Sequence, residues 1–252
     1  INIQSAPTAD AGFDQNICIT GSVQLNGAGG TTYSWSPAAS LDDATIPNPM
    51  ASPATSTTYY LTVTDAIGCM DTDSVLVTVS PNAIIIAGPD TIVCQGEPVN
   101  LFAFGGDTYT WSPTTGLNDP NIANPTYDGR ADQTFTITGT DAFGCTGSAT
   151  VTITTQTAPV VDAGPDFIIN IGESVVLQGN AADPIFWSPD STLDNPLILN
   201  PTANPLATTV YTIIATTSAG CSSSDDMLVT VLEPLNVMTV SYTHLRAHET
   251  IN

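Results

Sequence analysis

Apolar residues alternate with polar ones along most of this chain. Gln24 separates Val23 from Leu25, Tyr60 and Thr62 separate Tyr59, Leu61 and Val63, and "DSVLVTV" sets Val75, Val77 and Val79 on one side. A period of two puts every second side chain on the same face, which predicts strands with one face buried. The pattern returns at Val99 and Leu101, at Val151 and Ile153, and at Val175 and Leu177. No segment keeps the 3.6-residue period of an amphipathic helix. Prolines interrupt the alternation between each "WSP" and the following Asn-Pro pair, where a loop or short edge strand is predicted. "DAIGC" and "DAFGC" join two alternating runs and predict hairpin turns, with Gly68 and Gly144 at positive φ.

These landmarks recur at one interval. "AGFD" begins at Ala11 and "AGPD" at Ala87 and Ala163, and 87 − 11 and 163 − 87 are both 76. The same step relates Trp35, Trp111 and Trp187, then Leu41, Leu117 and Leu193, then the pairs that end in Pro49, Pro125 and Pro201. It also relates Tyr59, Phe135 and Tyr211, and Cys69, Cys145 and Cys221. So regular a repeat implies one supersecondary unit used in tandem. The expected fold is all-β: three β-sandwiches of about seven strands each, in a linear array. Their bounds are set at 1–81, 82–156 and 157–234, with an unstructured tail at 235–252. The predicted core of the first unit is Val23, Leu25, Trp35, Leu41, Tyr59, Leu61, Val75 and Val77, with equivalents in the others. Each Trp could be a stacking platform for a ligand, but its fixed place in an alternating strand favours the core.

Charge narrows the function classes. The 252 residues include 24 Asp and Glu but only 2 Lys and Arg, a formal net charge of -22, and the two cations are Arg130 and Arg246. Such a surface repels phosphate backbones, so no nucleic-acid partner is expected. The nearly apolar runs, such as that around Ile84 to Ile86, fall far short of the ~20 residues of a membrane helix. No membrane insertion is expected. The first residue is Ile, and no basic stretch followed by an apolar one succeeds it, so the start of a longer parent protein is expected to lie upstream.

The stretch "AGPDTIVCQGEPVNLFAFGGDTYTWSPTTGLNDPNIANP", followed by "TFTITGTDAFGC", resembles the PKD-like and Ig-like repeats of large secreted surface proteins of Bacteroidetes. The resemblance covers about residues 5 to 233. It implies an extracellular, cell-surface location and a stalk or adhesin segment, in proteins that often end in a gliding-motility-associated or secretion-system sorting domain. No such domain is recognisable in this chain. The cysteines suit an exported protein. Cys18 and Cys69 are 51 residues apart, as are Cys94 and Cys145, so a bridge within each of the first two units is expected, with free-thiol pairs as the alternative. The third unit has Asn170 where a partner of Cys221 would stand, so Cys221 is expected to be free.

Both histidines, His244 and His248, fall in the final stretch, "VSYTHLRAHETIN", which matches no repeat. "VSYTHLRAHET" resembles one reading frame of a transposase adapter used in sequencing libraries, which implies that residues 240–250 are adapter-derived, with Ile251 and Asn252 as index sequence. Without this stretch the chain has neither His nor Lys, which removes Ser-His, Cys-His and Lys-based nucleophiles. Paired carboxylates would still need a cleft, so no catalytic activity is expected.

Two features could still bind something. Asp14, Asp90 and Asp166 recur in "AGxD", and Asp42-Asp43, Asn118-Asp119 and Asp194-Asn195 follow the shared Leu. Calcium would use such oxygens. Turn capping uses them equally well, and since the stretch between units, "SPNAIIIAG", holds no acid, capping is preferred and no cofactor is assigned. Phe102 and Phe104 alternate with Leu101 and Ala103, so they are predicted to face outward, in a place where the other copies carry Asn26 and Ala28 or Gln178 and Asn180. The pair could stack on a sugar or dock a neighbouring domain, unless a local loop covers it. Arg130 reads as a solvated loop residue. The expected function is a non-catalytic spacer in a secreted adhesin-like protein, and a carbohydrate-binding module built on Phe102 and Phe104 is the alternative. The expected partners are the neighbouring repeats and an unidentified extracellular polysaccharide or surface protein.

Overall fold

The structure, a computed structural model, describes residues 5–182 and 184–234. The tail, with His244, His248 and the adapter-like residues, lies outside them. The described residues are all-β, and they bury three hydrophobic cores.

In the first repeat the strands are β1 (Gln15–Cys18), β2 (Val23–Gln24), β3 (Thr32–Ser36), β4 (Met50–Ala51), β5 (Thr57–Thr64) and β6 (Met70–Ser80). Four of them form a sheet in the order β1-β6-β5-β3, and β2 pairs with β4. The β5–β6 hairpin is antiparallel from Thr57↔Val77 to Thr64↔Met70. β1 runs parallel to the far end of β6, with Cys18 opposite Ser80. The alternation read from the sequence sets the buried face: Leu25, Trp35, Tyr59, Leu61, Val63, Val75 and Val77 are buried, and Val23 and Leu41 pack against them half-covered. Proline and Asn-Pro keep residues 37–49 out of regular strands, and the Ser-Pro bond of each "WSP" is cis.

The second repeat adds β7 (Ile86–Ala87), β8 (Thr91–Cys94), β9 (Val99–Asn100), β10 (Ala103–Phe104), β11 (Thr108–Ser112), β12 (Thr126–Tyr127), β13 (Gln133–Thr140) and β14 (Thr146–Gln156). Its sheets are β11-β13-β14-β8, β10-β7 and β12-β9. The third contains β15 (Val161–Asp162), β16 (Phe167–Asn170), β17 (Val175–Val176), β18 (Asn180–Ala181), β19 (Ile185–Ser188), β20 (Thr202–Ala203), β21 (Thr209–Thr216) and β22 (Ser222–Leu232), in sheets β16-β22-β21-β19, β15-β18 and β17-β20. By compactness, residues 1–155 form one unit and 156–252 another, so the first two repeats share a unit. The hairpin glycines Gly68, Gly144 and Gly220 have φ of 88°, 80° and 88°, where a Cβ would be strained.

One packing exchange distinguishes the middle repeat. In the first and third, a small residue, Ala51 or Ala203, leaves room for the Tyr59 or Tyr211 ring, whose hydroxyl bonds to Ser40 or Thr192. Burial pushes the Tyr211 phenol pKa up. In the second, Tyr127 takes the Ala place and packs edge-on to Phe135 at 5.1 Å. Gly116 replaces the hydroxyl residue, because a Cβ there would stand 2.5 Å from the Tyr127 ring.

Candidate functional site

The recurring acids hold backbone. Leu76 N donates to Asp14, Thr152 N to Asp90 and Leu228 N to Asp166, at 2.7 to 2.8 Å, so each "AGxD" carboxylate ties the start of its repeat to the last long strand. The amides of Asp43 and Met50 donate to Asp42, those of Asp119 and Thr126 to Asn118, and those of Asn195 and Thr202 to Asp194. Asn118 lacks charge and does the same work, which is the behaviour of a cap. The amides they accept hold the Asp194 carboxyl, through Thr202, and the Asp73 carboxyl, through Ala11, below the ordinary carboxylate range. Among the described residues, no three His, Cys, Asp or Glu side chains gather as a metal site requires.

All three Trp side chains are core residues. They are at most 2% exposed, and the indole N–H donates to Ile46 O from Trp35 and to Ile122 O from Trp111. Arg130 is 82% exposed and pairs with Asp128 at 3.1 Å, a solvated contact of small consequence.

Phe102 and Phe104 do face outward, at 44% and 51% exposure, while Leu101 and Ala103 are buried. Phe104 lies opposite Ile86 in the β7–β10 ribbon, and Ile84 and Ile86 are exposed beside it. Gly88 lies against the Phe102 ring, which a Cβ there would approach to 2.9 Å. A cavity of about 80 Å³ opens under Phe102, between Pro89, Leu101 and Val151. That is well below the roughly 300 Å³ and more of a small-molecule pocket, so the aromatic pair offers a surface, not a pocket.

The cysteines overturn the expected pairing. Cys18 is bonded to Cys145, 127 residues away, and Cys69 is free. Cys94 and Cys221 are disulfide-bonded too, so the free thiol is not in the third repeat. The parallel pairing of β1 with β6 gives the physical reason. Cys18 lies opposite Ser80, at the end of β6, whereas Cys69 precedes Met70 at its start. Eleven steps of strand separate the two levels by roughly 35 Å. A disulfide needs Cα atoms about 4.4 to 6.8 Å apart, and Cys18 and Cys145 meet that at 5.4 Å.

The bond therefore crosses the junction of two repeats. Cys18 sits where the chain leaves the first repeat, with Ile19 N donating to Ser80 O at 2.9 Å. Cys145 closes the turn before β14, where the chain arrives in the second: a Cβ on Gly147 would stand 1.9 Å from Ala83 O in the connecting segment. The Asp141 carboxylate fixes this turn by accepting from the amides of Phe143 and Cys145 at 2.9 Å. Asp65 does the same for Ile67 and Cys69. The intra-repeat spacing of 51 and the inter-repeat spacing of 127 coexist in the sequence, and the direction of β1 decides between them.

Among solved structures, an I-band fragment of titin is similar over 91% of this chain and 100% of its own, with 13% identity and a TM-score of 0.50. The repeats have the Ig-like fold. A three-Ig structure of the same titin domains in an E-to-A mutated form matches 91% of this chain and 100% of its own at 13% identity and a TM-score of 0.48. Extracellular domains 3–5 of Drosophila OTK match 90% of this chain and 95% of their own at 13% identity and a TM-score of 0.39. No family model and no curated protein matches the chain. The Ig-like repeats here differ from antibody domains in their bridges, which in those domains join two sheets of one sandwich. No helix among the described residues is long and apolar enough to cross a membrane.

Proposed function

We propose that this segment is a non-catalytic spacer of a secreted surface protein, in which Ig-like repeats hold a binding or anchoring domain away from the cell. The observation that carries the reading is the Cys18–Cys145 bond across a repeat junction. A binding module needs its own fold and a site, whereas a spacer needs its joints fixed. The bond closes a loop of 127 residues, worth about 5 kcal/mol by chain entropy, and it immobilises the short connection between the first two repeats. Disulfides persist in oxidising compartments, which supports export. The described residues contain neither His nor Lys, which supports the absence of catalysis.

Spin labels on the exposed positions of Tyr60 and Ile122 test the spacer in the full chain. A narrow distance distribution is expected under oxidising conditions, broadened in a Cys18→Ser variant. Equal widths in both would remove the support for a fixed joint.

The exposed Phe102 and Phe104 favour a second reading, a carbohydrate-binding surface, because base-like stacking on a sugar face needs two accessible rings and no deep pocket. A glycan array separates the two. Saturable binding that is lost in the Phe102→Ala/Phe104→Ala double variant would replace the spacer reading with the second.

A further inference from the structure

We infer that Cys69 is the open half of a further junction staple, and that its partner is the first-strand cysteine of another repeat of this kind, preceding the first one here. The inference deepens the spacer reading by naming what docks on the leading end of the first repeat.

Cys69 and Cys145 occupy equivalent places in equivalent turns. In both, an Asp carboxylate accepts from two amides at 2.9 Å, the Cys carbonyl accepts from the Asp amide at 3.0 Å, and a Gly with positive φ precedes the Cys. Cys145 is bonded and fully buried, while Cys69 is free and half-buried. Beside it Ile67 and Met70 are 60% and 66% exposed.

The segment that leads into the first repeat follows the path of a repeat-to-repeat connection. Asp10 pairs with Ala28 as Ile86 pairs with Phe104, one period later. A Cβ on Gly29 would stand 1.8 Å from Thr8 O, and one on Gly105 would stand 2.0 Å from Ile84 O. Residues 8–10 are thus laid down as residues 84–86 are, and residues 84–86 follow a stapled junction.

A second copy of this chain cannot supply a first-strand partner. Cys18 and Cys94 are already disulfide-bonded, and the third first-strand position is Asn170. The thiol must come from an additional repeat. The bond forms by exchange with a small-molecule disulfide. The Cys69 thiolate attacks one sulfur and releases one thiol; the first-strand thiolate of the preceding repeat then attacks the Cys69 sulfur and releases the second. Two protein thiols are oxidised, one small disulfide is reduced to two thiols, and the protons pass to them.

The test extends the full chain by a duplicate of residues 5–80 placed directly ahead of Ser5, which continues the period. Non-reducing peptide mapping after refolding in a glutathione buffer is expected to link the added first-strand cysteine to Cys69. The single labelled thiol should move from Cys69 to its counterpart in the added repeat. Cys69 remaining labelled, with the Cys18–Cys145 link intact, would overturn the inference. So would Cys69–Cys69 dimers of the unextended chain as its main oxidation product. A second variant covers misfolding of the extension: Asn170→Cys, at an exposed strand end, in the otherwise unaltered chain. Head-to-tail links between position 170 and Cys69 in clear excess over symmetric ones are expected, and symmetric links alone would overturn the inference. Both readouts are thiol connectivities, which glycan binding does not move, so failure here is distinct from failure of the spacer reading.

Discussion

A disulfide between residues 18 and 145 changes what a pulling force can reach. In a chain whose Cys94 and Cys221 are replaced, tension applied at the two termini reaches Cys18, crosses the bond and leaves from residue 145, so the backbone between them lies outside the covalent force path. The perturbation is reduction, applied to a chain carrying Cys94→Ser and Cys221→Ser so that Cys18–Cys145 is the one bond to break. An extended chain spans at most about 3.3 to 3.6 Å per residue, so 127 residues released by reduction lengthen the fully unfolded molecule by roughly 420 to 460 Å. The assay is single-molecule force extension with handles at both ends, comparing contour length before and after a reductant. A gain of roughly 170 to 180 Å would instead mean release of 51 residues, the signature of a Cys18–Cys69 bond. That result, or no gain at all, would refute the connectivity and the force path drawn from it.

Acid should destabilise the repeats despite relieving repulsion. The carboxyls of Asp73 and Asp194 are held low by the amides they accept, so their contribution is present above the unfolded pKa near 4 and disappears as pH falls through the lower folded values. Thermal melts from pH 6 to pH 2 are expected to fall below about pH 4, and a flat or rising curve would count against capping by these acids. Trp111→Ala removes a fully buried ring and its bond to Ile122 O, for an expected loss of about 3 to 5 kcal/mol in chemical denaturation. Gly144→Ala meets nothing within 4 Å, so only its φ of +80° should cost stability, about 1 to 2 kcal/mol, and a neutral result would show that the turn relaxes. Gly116→Ala meets the Tyr127 ring as well as an unfavourable φ, and should cost more in the same assay.

What the sequence displayed was what depends on neighbouring residues. Alternation at Tyr59, Leu61 and Val63 named the buried face because a strand's side chains switch sides at every step. Gly68 and Gly144 marked their turns because few other residues accept that backbone conformation. Phe102 and Phe104 were placed outward by the same alternation. The disulfide partners were not legible, since Cys69 and Cys145 sit in equivalent local turns, and it takes the parallel alignment of β1 with β6, a contact across about 60 residues, to put Cys18 out of reach of Cys69 and at the end of the repeat where Cys145 meets it. The Tyr127–Phe135 exchange was hidden for a similar reason: it involves Gly116, Tyr127 and Phe135, whose mutual dependence appears only when their volumes meet in one core.

Arg130 gives the junction staple a consequence for proteolysis. With no lysine in the chain, a protease that cuts after basic residues finds only Arg130 and Arg246, and Arg130 is well exposed. A cut there falls inside the loop closed by Cys18 and Cys145. The two pieces remain one covalent molecule, and the strands on either side keep their partners. A nick that would leave the two sides of an unstapled joint without a covalent link leaves these two pieces joined through Cys18 and Cys145.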